Sequence, residues 1–175
     1  MTLHRNSHEV SSSVRDTLKQ AHHLYTIWGG ELKQAPFIDN LIEKLKQNIS
    51  ATKKAMAKIG VLKICKHCDE EEGGSCCGYG IELKYNSVLL LINLLLGVRL
   101  PKEKREPNSC FFLGENGCLL LSRHVLCVNY FCALIKSKLT SNELMQIQSI
   151  AGEELYTVFK LHEAIKLFIS QNHYG

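Results

Sequence analysis

No stretch of this sequence is apolar for long enough to cross a membrane. The longest apolar run, Val88 to Leu96, is interrupted by Asn93 and closed by Gly97, Arg99 and Pro101. Extended backwards it meets Asn86, Lys84 and Glu82 before the ~20 apolar residues of a spanning helix are reached. Met1 to Glu9 likewise lacks the continuous apolar core of a secretory leader. Charge of one sign is also missing. The 21 Lys and Arg stand against 17 Asp and Glu, a net charge of +4 with the eight His neutral, which does not by itself select nucleic acid. The low hydrophobicity of disordered chains is absent too, since 45% of the 175 residues are hydrophobic. These absences predict a soluble, cytoplasmic chain folding as a single domain over residues 1 to 175.

Catalytic signatures are equally scarce. No glycine-rich strand-to-helix turn of the Rossmann kind occurs, and no Ser/His/Asp or paired-carboxylate constellation finds support. No internal repeat of solenoid type is present. What the chain does have is eight cysteines, more than a core of this size needs as small buried residues.

The flanking regions read as helices. Ser13-Val14-Arg15-Asp16 resembles a helix start, and Val14, Leu18, Ala21, Tyr25 and Trp28 follow at helical spacing until Gly29-Gly30. Pro36 opens a second helix with a stripe of Ile38, Leu41, Ile42, Leu45, Ile49, Thr52, Met56 and Ile59, capped by Gly60. These form an N-terminal helical part, residues 13 to 60. Lys44 to Lys66 holds seven lysines and no acid, a solvated face or a docking surface for an acidic protein partner. Ile81 to Leu96 reads as one buried helix, apolar nearly all round. Pro101 to Pro107 reads as a charged loop. Thr140-Ser141-Asn142-Glu143 is a capping box opening a C-terminal helical region, 140 to 172. Leu144, Ile147, Ile150, Ala151, Leu155, Val158, Phe159, His162, Ile165 and Phe168 carry its stripe, with a bend expected at Gly152. His22, His23 and His162 are expected at the core edge. The fold class is mainly α: a helical domain with two irregular cysteine-rich metal-binding loops packed among the helices.

The cysteines fall into two sets of four, Cys65-x2-Cys68-x7-Cys76-Cys77 and Cys110-x7-Cys118-x8-Cys127-x4-Cys132. In a reducing compartment such clusters point to metal or redox chemistry rather than disulfides. A C-x2-C knuckle puts two thiolates on one turn, where they can share an ion. Zinc ribbons use two knuckles and only one exists here. The irregular spacing therefore favours an iron–sulfur cluster over Zn2+, without excluding zinc. Adjacent Cys76 and Cys77 diverge from the backbone, so either they serve two metals or one ligates while the other packs. Gly73, Gly74, Gly78 and Gly80 permit the tight backbone this pair requires. His67, inside the knuckle, and His124, three before Cys127, are candidate ligands, with a local role as the alternative.

The runs Cys65-Lys66-His67-Cys68, Ser75-Cys76-Cys77-Gly78, Cys110-Phe111-Phe112-Leu113, Gly117-Cys118-Leu119-Leu120 and Arg123-His124-Val125-Leu126-Cys127-Val128-Asn129-Tyr130-Phe131-Cys132 resemble the YkgJ-like CxxCxxCC cysteine-cluster family. The resemblance covers residues 65 to 132 and matches eight cysteines in order. That family is described as a zinc- or iron-chelating domain and includes flagellin lysine N-methylases. The resemblance implies that Cys65, Cys68, Cys76, Cys77, Cys110, Cys118, Cys127 and Cys132 are metal ligands, with His67, Arg123 and His124 around them. The chain departs from the pattern in four places. The two-residue gap before the double cysteine is seven here, His124 and Phe131 replace prolines, and Val128 replaces an arginine. Arg123 is retained and can pair with a carboxylate or hold the cluster loop.

Three functions follow from these readings. The first is a metal-binding protein whose cysteines form an iron–sulfur or zinc centre of structural or redox use. The second is a protein lysine N-methylase using S-adenosylmethionine, which the missing donor pocket leaves without support from the residues. The third is a zinc-stapled nucleic-acid-binding module on the Lys44 to Lys66 face, opposed by the small net charge and the lack of aromatics there.

Overall fold

The computed structural model describes residues 7–61, 63–64, 78, 80–107 and 109–172, with side chains from Ser12 onward. The chain is mainly helical. Helix α1 spans Ser7–Gln34, α2 Pro36–Lys58, α3 Ser87–Leu95, α4 Val125–Asn129, α5 Ala133–Lys138 and α6 Ser141–Asn172. A 3-10 turn, Ile81–Lys84, precedes α3, and a minimal antiparallel pair, β1 Leu113–Gly114 with β2 Gly117–Cys118, lies between α3 and α4. Among the described residues no helix is long and apolar enough to cross a membrane.

Helix α1 corrects two expectations. It begins before Ser13, whose carbonyl accepts the Thr17 hydroxyl at 3.0 Å inside the helix, while Asp16 meets Lys19 rather than a cap. It also runs straight through Gly29-Gly30. Two helical glycines cost ~2 kcal/mol relative to alanine. Fully buried Leu32 beyond them returns ~1.5–3 kcal/mol, a gain of the same size that offsets this cost. Gly29 has a packing reason as well: a Cβ there would lie 2.9 Å from the Tyr25 ring. Ala35 is extended, as a residue before proline must be, and Pro36 takes the first helical position of α2. At its far end Gly60 adopts φ +78°, the left-handed conformation expected of the cap.

The expected helix over Ile81 to Leu96 is divided. Tyr85 and Asn86 are extended, and the Asn86 side chain caps α3 by accepting the Leu89 N–H at 2.8 Å. A cap with a good acceptor outcompetes a continuous helix at that point. Leu89 to Leu95 are all buried. Gly97, at φ +84°, closes α3 in a Schellman turn, with Gly97 N–H on Leu94 O at 3.0 Å and Val98 N–H on Asn93 O at 2.9 Å. The loop 101–107 is pinned to this region, because Lys104 Nζ meets buried Glu82 at 3.2 Å.

Thr140 and Glu143 form the expected capping box, the Thr140 N–H on Glu143 Oε2 at 2.9 Å and the Glu143 N–H on Thr140 Oγ1 at 3.2 Å. Helix α6 then continues unbroken through Gly152. Its phase differs from the expected stripe: Phe159 is 62% exposed, whereas Glu154 is 1% exposed and Leu161 fully buried. His22 and His23 face solvent rather than the core edge, while His162 stays half-buried beside Asn86. The described lysines of the Lys44 to Lys66 run are exposed.

Three apolar clusters hold these elements. Val14, Leu18 and Ala21 of α1 pack with Leu90 of α3 and with Phe111, Phe112 and Leu120 of the second cysteine segment. Helices α2, α3 and α6 share a second cluster around Leu45, Ile92 and Leu161. A third joins Met56, Val61, Phe131, Ile135 and Ile147.

Candidate metal centre

Cys65, Cys68, Cys76, Cys77 and His67 lie outside the described residues; the other four cysteines are described as free thiols. Each sits on a different local structure. Cys110 follows Ser109, which forms an isolated antiparallel bridge with Gly78. Cys118 ends β2, Cys127 lies on α4, and Cys132 is the N-cap residue of α5. The second cysteine-rich loop, expected to be irregular, therefore contains a hairpin and a short helix.

What positions these thiols is Asn93. This fully buried side chain uses all of its hydrogen-bonding capacity. Its Nδ2 donates to Leu89 O and Ser122 O, each at 2.9 Å, and its Oδ1 accepts the N–H groups of Leu121 at 2.9 Å and Ser122 at 3.0 Å. One amide thus fastens the stretch between Cys118 and Cys127 to α3.

Tyr85 is the second positioning residue. Its hydroxyl accepts the His124 N–H at 3.0 Å and donates to Cys127 Sγ at 3.7 Å, while its ring lies 4.9 Å from that of Phe112. Burial and the neighbouring thiols push its phenol far up, so it stays a donor at any ordinary pH. Tyr85→Phe keeps the ring packing and removes both bonds. We expect a loss of about 1–2 kcal/mol in urea unfolding, with an unchanged denaturant slope. A variant as stable as the wild type means that the hydroxyl holds nothing.

Burial dominates the electrostatics of the thiols. It pushes Cys110 up to about 12, although the Phe112 N–H lies on its sulfur at 3.5 Å. Cys118 and Cys127 are raised for the same reason. Against that, Cys118 has the Leu120 backbone N–H and Arg123, and Cys127 has the Tyr85 hydroxyl, Arg123 and the His124 backbone. Cys110 feels both Cys118 and Cys127, so these three thiols share one electrostatic neighbourhood. Raised thiols are poor nucleophiles, and such an arrangement does not suit cysteine catalysis. It suits donors that ionise when a cation arrives.

Cys132 packs against the apolar cluster that contains Met56, Phe131 and Ile147. Among the described residues no group of three or more His, Cys, Asp and Glu side chains is placed to hold a metal ion. His124 caps α4, its Nδ1 accepting the Leu126 N–H at 3.2 Å, and burial with Lys84 nearby holds its pKa down. Only Nε2 is left for a ligand. Arg123 has a buried Nε with no hydrogen-bond partner among the described residues, and the carboxyl its charge acts on is Glu154 of α6.

The described flanks of residues 65–77 are informative in their own right. Ile64 packs into the cluster that contains Cys132, and Gly78 is bridged to Ser109 beside Cys110. Before that stretch the described chain packs on the same cluster as Cys132, and after it the chain is bridged to the residue preceding Cys110.

Sequence reasoning missed Asn93, Tyr85 and Glu154 as parts of this region. A lone amide in an apolar run and an acid three residues after Ala151 in an apolar stripe were the available signals for two of them. Nothing local marked Tyr85. No family model, curated protein or solved structure matches the chain.

Proposed function

We propose that this is a metal-binding protein whose eight cysteines, Cys65, Cys68, Cys76, Cys77, Cys110, Cys118, Cys127 and Cys132, form an iron–sulfur or zinc centre between the helices. The observation that carries the reading is the anchoring of both flanks of 65–77 against the second cysteine set, at Ile64 and at Gly78. The resemblance to the YkgJ-like family supports the same ligand set.

The donor chemistry fits. Sulfur is a soft donor for zinc and for iron–sulfur clusters. Backbone N–H groups already face thiols at Cys110 and Cys118, as the sulfurs of a cluster require. When bound, the metal would hold the thiols ionised and tie the two cysteine segments together. The chain's own residues would do the rest: Tyr85 and Asn93 set the positions, and Arg123 supplies positive charge beside Cys118 and Cys127. Iron–sulfur is preferred over zinc because of the irregular ligand spacing, and a reducing cytoplasm is the setting that suits it. The exposed lysines of α2 form the face for an acidic protein partner.

The test is purification without oxygen, a visible spectrum, and a count of metal and acid-labile sulfide per chain. A brown protein with sulfide is expected. A colourless protein holding zinc replaces the cluster by zinc, and a folded protein with neither metal nor sulfide that takes up neither overturns the reading.

A further inference from the structure

Helix α6 carries a second apolar stripe, opposite the face on which Ile147, Ala151, Leu161 and Ile165 are buried. Met145, Tyr156, Phe159 and Leu167 are each 57–62% exposed. At ~100° per residue the four fall within an arc of about 80°, on a stripe ~33 Å long. Single exposed apolar residues need no explanation, but four aligned on one helix face mark an interaction surface.

Gly152 lies inside the same arc. It costs the helix ~1 kcal/mol relative to alanine, and no packing within the chain requires it, since a Cβ there would meet nothing within 4 Å. A glycine on an exposed helix face admits a close neighbour from outside. Charges of both signs border the stripe, Glu153 and Glu163 with Lys160 and Lys166, and Lys160 Nζ lies 5.5 Å from the centre of the Tyr156 ring. Such a border suits a copy of the same stripe better than an anionic lipid surface, which selects lysines alone.

We propose that this face joins two copies of the chain through an antiparallel α6 pair, with the two-fold axis at Tyr156. The sequence is self-complementary about that point. Met145 and Leu167 stand eleven residues to either side, so each meets the other's counterpart. Phe159, three residues after Tyr156, and Gly152, four before it, project to the same side, and Phe159 fills the gap above the partner's Gly152. On the other side Glu153 and Lys160 are placed in the same way, so each Glu153 faces the partner's Lys160 and the two pairs form together. Glu163, within the stripe, already has Lys166 at 3.2 Å and faces the partner's Ser149, a hydroxyl donor. One helix from each copy gives an interface at the lower end of the specific range, about 1,200 Å2 in total, and a dissociation constant on the order of micromolar is expected.

This inference is independent of the metal-binding reading. The test is sedimentation equilibrium of the full chain under a reductant, which excludes cysteine cross-links, from about 1 to about 100 μM. Wild type is expected to pass from one chain to two over this range. Glu153→Lys and Lys160→Glu each place like charges opposite one another twice and are expected to weaken the dimer at least tenfold. An equimolar mixture of these two variants, and the double variant alone, restore opposite charges and are expected to regain dimers. Both residues are exposed, and circular dichroism checks that each variant keeps the fold. A wild type that stays at one chain throughout overturns the proposal. So does a dimer that neither single variant weakens, or a loss that neither the mixture nor the double variant repairs.

Discussion

Asn93→Leu is expected to cost the fold about 4 kcal/mol. The replacement is similar in volume and apolar, so the helix α3 around it gains no cavity of consequence. What it loses is partners. The N–H groups of Leu121 and Ser122 and the Ser122 carbonyl, all served by the one amide, are left inside the protein. An unsatisfied buried backbone group costs about 1–3 kcal/mol, and three such groups with partial relaxation give the stated figure. The Leu89 carbonyl is spared, since it belongs to the helix that contains it. For a chain of this length the melting temperature should fall by on the order of 10 °C. Far-ultraviolet circular dichroism in urea measures the free energy, and an unfolding free energy within about 1 kcal/mol of wild type would show that Asn93 does not anchor the segment. A functional loss should accompany the structural one. Ser122 leads directly into Arg123 and α4, so slackening it displaces Cys127 relative to Cys118.

The same residue shows where local sequence information ends. Helix α2 was legible because proline and glycine mark its ends by steric rules that need no tertiary partner. The capping box at Thr140 and Glu143 was legible for a similar reason, its bonds spanning three residues. The passage of α1 through Gly29-Gly30 was not, because it depends on burying Leu32 and on Tyr25 crossing the gap. Division of the 81–96 stretch at Asn86 was hidden beneath an apolar pattern that reads equally well as one helix. In α6 a small phase error exchanged Phe159 for Glu154 and Leu161. Within the candidate centre, cysteine order and spacing could be read directly. Tyr85 could not, since its role is created by contact with Cys127, 42 residues away.

Serine replacement of Cys118 or Cys127 is expected to lower bound metal at least tenfold, a floor taken from the 10–100-fold effects of changing even outer-shell partners. A serine hydroxyl matches the thiol in shape but does not ionise at neutral pH and is a hard donor where a soft one is needed. Stability should follow occupancy. A ligand that binds only the native state stabilises it by about 4 kcal/mol at a thousandfold excess over its dissociation constant. Removing the metal with a chelator should therefore lower the wild-type melting temperature by on the order of 10 °C. The decisive quantity is the difference between differences. If the thiols are ligands, the serine variants are much weaker than the wild type in loaded protein and nearly equal to it after chelation. If they are only small core residues, the deficit is the same with and without metal. Cys132→Ser carries the sharpest information, because Cys132 packs against the apolar cluster of Met56, Phe131 and Ile147, where it could serve as a core residue alone. A loss of metal equal to that of Cys127→Ser is expected, whereas undiminished metal content assigns Cys132 to the Met56 and Phe131 cluster alone and removes it from the ligand set.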